Sequence, residues 1–221
     1  MEQLTVKDIV GNAYVEQLIA CGNDMLGVLG FTEHSKVHAT RVSTLAGRIL
    51  EELGYPKRQI ELARIAGYIH DIGNAVNRND HAHSGGILAF QILKEMGLPP
   101  QETAAIVGAV GNHDEKTGTA FDPISAALVL ADKTDVRRNR VRNQDMSTFD
   151  IHDRVNYAAK SARLTVDVEA RIIHLDIQLD DTICSVLDYF EIFLDRMIMC
   201  RRAAEILHAK FRLTANGSKV L

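Results

Sequence analysis

Cysteine is scarce in this chain, and the few cysteines form no motif. The 221 residues contain three, Cys21, Cys184 and Cys200, which lie far apart and include no CxxC pair. Spacing of this kind gives no sign of a disulfide framework. We interpret all three as reduced core thiols of a cytoplasmic protein.

Long apolar runs and an excess of one charge are also missing. Charged residues interrupt every long apolar stretch, so no membrane helix is expected. The N-terminal sequence MEQLTVKDIV lacks a basic region followed by an apolar run, which argues against a signal peptide. The net charge of -4 gives no bulk reason to expect nucleic acid or an anionic membrane as a partner. The length suits one domain plus a modest appendage.

Residues 1 to about 160 read as helices, because they contain neither an Asn-Gly hairpin nor a long alternating run. Gly54 and Gly97 are typical of helix ends, and Asp122-Pro123 of a helix start. The expected helices cover one or two segments between residues 4 and 30, and then residues 35–53, 57–70, 84–96, 100–111 and a segment from 123 onward.

The pattern changes after about residue 160. Residues 163–167 and 171–179 alternate apolar with polar side chains, which predicts a β-hairpin. A long amphipathic helix from Thr182 to about Ala209 follows, and then a strand-like segment with a tight turn at Asn216-Gly217. We therefore predict a mainly α protein: a helical domain over residues 1–160 and a small α+β unit over 161–221. The small unit is expected to mediate homodimerisation or to shape the pocket.

Histidine is abundant: five of the nine histidines, His34, His38, His70, His81 and His83, fall within fifty residues. Three helices carry a metal-ligand side chain where the apolar stripe calls for a hydrophobic residue. These side chains are His38, His70 and Asp132. Burying ionised carboxylates beside imidazoles is costly unless a cation compensates them. The pattern predicts a buried site for a divalent metal ion.

Further candidate ligands lie next to these residues and between them. Asp71 follows His70 at a helix end, where a carboxylate could bridge two ions. His81 and His83 precede a predicted helix, and His113-Asp114 follows another. These residues could complete a second ion beside the first. The role of His34, one turn before His38, is left open between ligand, substrate contact and surface residue.

The order His38, His70-Asp71, Asp132 resembles that of the HD-domain superfamily of metal-dependent phosphohydrolases. Three local segments carry the resemblance, which covers roughly residues 30–140. They are His38-Ala-Thr-Arg-Val-Ser-Thr-Leu-Ala46, Gly67-Tyr-Ile-His-Asp-Ile-Gly73 and Leu130-Ala-Asp-Lys133. The additional histidines are similar to those of the binuclear, HD-GYP-like branch.

The resemblance implies an HD-type helical bundle that binds two divalent ions. The first ion would take His38, His70, Asp71 and Asp132. The second would take Asp71, His81 and His113, with Asp114 as a further candidate ligand. Iron or manganese suits such ligands best, and magnesium, nickel, cobalt or zinc also fits. Two ions about 3.5–4 Å apart can hold a hydroxide as the nucleophile.

Two departures from the family pattern concern the substrate. Asn74 stands where the family often has a lysine, and Asp114 stands where the branch has a histidine. The basic stretch that begins after Asp132 could instead bring Lys133, Arg137 or Arg138 to a substrate phosphate.

The leading hypothesis is a phosphohydrolase that acts on a nucleotide or another phosphoester, with Asp71, Lys133 and Arg137 as catalytic residues. A di-iron oxygenase is the second hypothesis, because similar ligand shells in the superfamily activate dioxygen. A third is a signalling protein that keeps a metal and binds a nucleotide without cleaving it.

Overall fold

The computed structural model describes residues 3–221, which form a helical bundle followed by a small sheet and a long helix. The mainly α prediction with a C-terminal α+β unit is confirmed. The helices are α1 (Val6–Val10), α2 (Ala13–Val28), α3 (Lys36–Glu52), α4 (Lys57–Ile69), α5 (His81–Glu95), α6 (Pro100–Gly111), α7 (Pro123–Lys133), α8 (Ile151–Ala158) and α9 (Val186–Ile206).

The four strands form one sheet in the order β1-β2-β3-β4. Their bounds are β1 (Ala159–Asp167), β2 (Ile172–Leu179), β3 (Lys210–Ala215) and β4 (Ser218–Lys219). The predicted hairpin is β1–β2, which pairs antiparallel with Thr165 opposite His174. Strand β3 returns parallel to β2 after α9, and Asn216 and Gly217 make the predicted turn with positive φ angles of 48° and 76°.

Helix α7 is the central element of the bundle. Asp122 caps its N-terminus by accepting the backbone N–H of Ser125, and Pro123 occupies its first position. Every residue from Ile124 to Ala131 is buried, because α3, α4, α6 and α9 pack around it. The buried apolar residues of the bundle and of the C-terminal unit form one continuous cluster. The boundary expected at residue 160 lies at the start of β1, and the division into two domains stays a prediction.

Two glycines allow the close approaches that assemble the ligand-bearing segments. A Cβ on Gly67 of α4 would lie 2.8 Å from Cα of Ser43 on α3, so the glycine lets these helices meet closely. A Cβ on Gly73 would collide with the backbone carbonyl of His81. Gly73 therefore lets the chain after α4 lie against the start of α5.

Three expectations about local structure are corrected. Helix α5 begins at His81 and not at Ser84, so His81 and His83 lie in its first turn; Asp80 makes this possible by adopting a left-handed conformation, with φ 58°. The long C-terminal helix starts at Val186 and not at Thr182, because Ser185 caps its N-terminus. The chain after α4 also forms a 3-10 helix, over Ile72–Ala75. Cys21 is exposed and not in the core, because α2 turns its neighbour Gly22 inward.

Within residues 3–221, no helix is both long enough and apolar enough to cross a membrane.

Candidate metal centre

Five separate segments bring six candidate ligands to one place inside the bundle. The four histidines are almost completely buried. The six ligands are His38 on α3, His70 and Asp71 directly after α4, His81 at the start of α5, His113 just after α6, and Asp132 near the end of α7.

The first cluster joins His38, His70, Asp71 and Asp132. Nε2 of His38 lies 3.2 Å from Oδ1 of Asp132 and 3.7 Å from Oδ2 of Asp71. Nε2 of His70 lies 3.2 Å from Oδ2 of Asp71 and 3.5 Å from Oδ1 of Asp132. Donor atoms at tetrahedral corners about 2.1 Å from an ion are separated by roughly 3.4 Å. The spacing of these four atoms therefore fits a shared ion.

The second cluster uses the other oxygen of Asp71. Oδ1 lies 3.5 Å from Nε2 of His81 and 3.7 Å from Nε2 of His113, and these two nitrogens are 3.2 Å apart. The two carboxylate oxygens of Asp71 thus face two different histidine pairs. A carboxylate in this position can bind two ions at once, which is the bridging role expected from the sequence.

The donor atoms themselves indicate that a cation belongs in the centre. Nε2 of His38 and Nε2 of His70 are buried, and within residues 3–221 no group meets them in hydrogen-bond geometry, although carboxylate oxygens lie 3.2 Å away. A buried polar nitrogen without a partner is unfavourable, and native structures rarely keep one without a reason. Metal coordination supplies that reason for both nitrogens, so the residues present fit a metal site.

The other ring nitrogen of each histidine is held by an acceptor. Nδ1 of His38 donates to Oδ2 of Asp135 at 2.8 Å, and Nδ1 of His70 donates to the carbonyl of Gly67 at 2.9 Å. Nδ1 of His81 donates to the carbonyl of Arg78 at 3.1 Å, and Nδ1 of His113 donates to the carbonyl of Val110 at 2.6 Å. Carbonyls and carboxylates only accept, so Nδ1 carries the proton in each ring. In the neutral form of each ring this leaves an Nε2 lone pair directed at the cluster, as metal-binding histidines require.

Charge in the cluster also favours a bound cation. Burial raises the pKa of Asp71 and of Asp132. The charge of His70 beside Asp71 and that of Lys133 beside Asp132 outweigh burial, so both carboxyls have a pKa well below the ordinary value. Burial lowers the pKa of His70 too, yet Asp71 and Asp132 raise it to about 10. Burial lowers the pKa of His81 to about 4. In the metal-free protein the two ionised carboxylates are therefore balanced by the protonated His70 and by Lys133. A metal ion would take the place of the Nε2 proton of His70, whereas His81 is already a neutral ligand at pH 7.

Lys133 belongs to a buried chain of charges that starts at the centre. Its Nζ lies 2.9 Å from Oδ2 of Asp132 and 2.7 Å from Oε2 of Glu115. Arg196 of α9 donates from Nε to the other oxygen of Glu115 at 3.0 Å. The C-terminal unit thereby contacts residues next to the metal cluster, and Lys133 is engaged with protein carboxylates.

Arg137 and Arg138, in the basic stretch after α7, contact other parts of the protein. Arg137 forms ion pairs with Asp135 and Glu33. Arg138 donates to the carbonyl of Tyr157 and lies over its ring. Both guanidiniums have partners within the protein, so the structure supplies no free phosphate-binding group at these positions.

Asp114 and His34 lie beside the ligand clusters. Neither belongs to any of the ligand groups found within residues 3–221. Oδ2 of Asp114 lies 3.5 Å from Nδ1 of His81, the nitrogen that faces away from the second cluster. His34 packs edge-on against the ring of His38, with 5.6 Å between centroids, and its Nδ1 bonds the carbonyl of Thr32.

Sequence reasoning missed two residues that position ligands. Asp135 holds His38, and its signal was the single acidic residue in a basic stretch. From the sequence alone, Asn74 is recognisable only as a replacement for the lysine that the family often has. Its Nδ2 donates to Oδ1 of Asp71 at 2.9 Å, so it orients the carboxylate that faces both histidine pairs.

Comparison with known proteins agrees with this geometry. Residues 37–154, more than half of the chain, match the model of the HD domain family. The chain belongs to the HD-domain family. The match includes all six candidate ligands, from His38 to Asp132.

Several relatives share part of the sequence. An uncharacterised protein of Methanocaldococcus jannaschii is 27% identical over 158 residues, which cover 61% of this chain and 60% of the relative. Ribonuclease Y of Oceanobacillus iheyensis is 25% identical over 175 residues, 72% of this chain and 32% of that protein. Ribonuclease Y of Enterococcus faecalis is 29% identical over 112 residues, 51% of this chain and 20% of that protein. The chain thus spans less than two thirds of each of these relatives, and less than a third of both ribonucleases.

Proposed function

We propose that this HD-domain protein is a metal-dependent phosphohydrolase with two divalent ions, most suitably iron or manganese, in a binuclear site of the HD-GYP-like type. The observation that carries the proposal is the placement of Asp71, whose two oxygens face separate histidine pairs. Family membership and the buried nitrogens of His38 and His70 support the same reading.

The ligands would divide between two ions. His38, His70 and Asp132 would hold one, His81 and His113 the other, and Asp71 both. Bound ions would supply Lewis-acid polarisation of a phosphoryl oxygen and would lower the pKa of water. The protein itself contributes a fixed, largely buried cluster: Asp135 and three backbone carbonyls hold the imidazoles, and Asn74 holds Asp71. Preorganisation of this kind reduces the reorganisation required during the reaction.

The proposed substrate is a nucleotide or another phosphoester, cleaved as a monoester or a diester. Two relatives bear the name ribonuclease Y, which adds the phosphodiester of RNA to the substrates worth testing. This chain matches less than a third of their length, and a short RNA is therefore one of several substrates in the assay below.

Metal content tests the binuclear site directly. We expect anaerobically purified wild type to contain about two ions per chain and His81→Ala about one, because His81 faces only the second cluster. His83→Ala is the matched control, since His83 is two residues away on the same helix but has a side chain 56% exposed, against 3% for His81. One ion in both the wild type and His81→Ala would remove the second ion from the proposal.

Turnover tests the reaction class. Metal-loaded protein is assayed with bis-p-nitrophenyl phosphate, p-nitrophenyl phosphate, nucleoside monophosphates and a short RNA, with and without oxygen. We expect hydrolysis that is independent of oxygen and that falls at least about 100-fold in His81→Ala but not in His83→Ala. Oxygen-dependent turnover of a substrate that is not hydrolysed would contradict the hydrolase. Nucleotide binding without cleavage would support the signalling alternative.

A further inference from the structure

Arg78, which the sequence did not single out, lies at the edge of the second ligand cluster. Its Nη1 lies 3.4 Å from Nε2 of His81 and 3.3 Å from Oδ1 of Asn74. Its guanidinium lies over the ring of Phe31, 5.5 Å from the centroid. The segment between the 3-10 helix and α5 therefore directs a cation toward the same nitrogen that faces Asp71.

Arg78 differs from the other arginines near the centre in its partners. Arg137, Arg140 and Arg196 each form an ion pair with a carboxylate. Within residues 3–221, Arg78 forms no ion pair, and its hydrogen-bond and cation–π partners are neutral groups: an imidazole nitrogen, an amide oxygen and an aromatic ring. Its positive charge is consequently available for an anion that comes from outside the protein.

The contact with His81 cannot coexist with metal binding. The lone pair of Nε2 either accepts an N–H from Arg78 or coordinates an ion. When His81 is a ligand, that N–H needs another acceptor close by. Two divalent ions would also outweigh the charges of Asp71 and Asp132, so the loaded centre would attract an anion to the same edge.

We propose that Arg78 binds the phosphoryl group of the substrate, with its guanidinium positioned by Asn74 and Phe31. This inference rests on the proposed function and adds a specificity-determining residue to it. A planar guanidinium can donate two parallel N–H bonds to phosphate oxygens, a geometry that lysine does not offer. The amide oxygen of Asn74 and the ring of Phe31 limit the orientations of that plane before the substrate arrives.

The side chain of Arg78 can be tested without removing its backbone role. The backbone carbonyl of Arg78 accepts the Nδ1 proton of His81 at 3.1 Å. Replacing the side chain of Arg78 leaves this carbonyl in place. Arg78→Gln removes the charge, and Arg78→Lys keeps it without the bidentate geometry. Arg202→Gln on the exposed surface of α9 is the control for loss of one arginine charge.

Inorganic phosphate is the probe, because it needs no turnover. Its dissociation constant is measured by calorimetry on metal-loaded wild type and the three variants, together with metal content and melting temperature. We expect Arg78→Gln to weaken phosphate binding about 10- to 100-fold, since charge-assisted hydrogen bonds are the stronger class. Arg78→Lys should recover part of the affinity. Metal content should stay at the wild-type value, and Arg202→Gln should match wild type in every measurement.

The outcomes separate this inference from the proposed function. Unchanged phosphate affinity in Arg78→Gln at full metal content would overturn the role of Arg78 and leave a phosphohydrolase intact. Loss of metal or of folding in both Arg78 variants, with no specific loss of phosphate, would show a structural role and overturn it as well. Arg78-dependent phosphate binding in a protein that cleaves no ester would support Arg78 as an anion-binding residue and contradict the hydrolase. Where esters are cleaved, Arg78→Gln should raise KM or lower kcat for phosphoesters without altering metal content.

Discussion

Asp71 owes its position to the point where its helix ends. Successive residues on an α-helix point about 100° apart, so His70 and Asp71 can meet one ion only where the helix stops. Helix α4 ends at Ile69, and the chain then turns into the 3-10 helix that begins at Ile72. Asn74 of that 3-10 helix donates to both the carbonyl and Oδ1 of Asp71, at 3.0 and 2.9 Å. The local backbone therefore provides both the ligand and the residue that orients it.

Asp135 offers a test of ligand orientation. Its Oδ2 accepts the Nδ1 proton of His38 at 2.8 Å. In Asp135→Asn, an amide N–H directed at Nδ1 would favour the wrong tautomer and place a proton on Nε2. Residues that orient metal ligands typically contribute about 10- to 100-fold to metal affinity. We expect a loss of that size for one of two ions, measured by chelator competition.

Asp195→Asn on the exposed surface of α9 is the control for this substitution. The melting temperature of the metal-free protein must be recorded beside the affinity, because Asp135 also pairs with Arg137 and Arg140. If both ions bind to Asp135→Asn as tightly as to wild type, orientation of His38 by Asp135 does not contribute to metal affinity.

At the scale of elements, α7 and α9 connect the two parts of the chain. Helix α7 carries Asp132 and Lys133 at its end, and α9 packs along it with Tyr189, Phe193, Met197 and Cys200 buried. Burying one large apolar side chain contributes about 1.5–3 kcal/mol, so exposing Phe193 and Met197 would cost several kcal/mol, on the order of a net domain stability of about 5–15 kcal/mol. Packing of α9 of the C-terminal unit therefore stabilises α7, the helix that carries the candidate ligand Asp132.

Truncation tests this dependence. We expect residues 1–160 alone to be unfolded or aggregated, because loss of α9 exposes one side of α7 and removes Arg196 from Glu115. A chain that ends at Gly217 loses only exposed residues and should keep its melting temperature within a few degrees. Circular dichroism and size-exclusion chromatography report both results. A stable, active monomer of residues 1–160 would refute the supporting role of α9.

Homodimerisation through the C-terminal unit stays a prediction. Helix α9 exposes Leu187 and Leu194, which are 77% and 52% accessible. These side chains face away from the buried stripe that contacts α7. Analytical ultracentrifugation of the full chain decides between a monomer and a dimer.

At the scale of the whole molecule, buried ionised groups make the metal-free protein sensitive to pH. Despite burial, Asp71, Glu115, Asp132 and Asp135 have a pKa below the ordinary 3.8 or 4.5, because cations and histidines face them. A carboxyl whose pKa falls on folding contributes stability that is present above the unfolded pKa and is lost as the pH falls through the folded pKa. His70 has the opposite sign: its pKa is raised from 6.5 to about 10, so its contribution is lost as the pH rises through that interval.

We therefore expect stability of the metal-free protein to decline on both sides of a maximum between about pH 5 and 6.5. The unfolding free energy from urea denaturation with chelator present should fall by at least about 2 kcal/mol from pH 6 to pH 3. A constant unfolding free energy across that range would mean that the carboxylates are not compensated in the folded state. Saturating metal should raise stability most at neutral pH, since protons compete for the same ligands.

The sequence by itself determined the helical bundle, the C-terminal hairpin and helix, and the family. It could do so because those features depend on local periodicity and on a linear order of ligands, from His38 to Asp132. The bridging role of Asp71 stays a prediction, which the sequence suggests because a carboxylate at that helix end has two oxygens and because further histidines follow it.

Tertiary structure alone decided what surrounds the ligands. Asp135 reaches His38 across 97 positions of sequence, and Arg196 reaches Glu115 across 81. No local periodicity encodes such contacts, because they depend on how α3, α7 and α9 pack together. For the same reason Arg137 and Arg138, which were expected to face a substrate, turned out to be paired within the protein. Arg78, which carries no motif, lies beside His81 because Gly73 lets its segment pack against the start of α5.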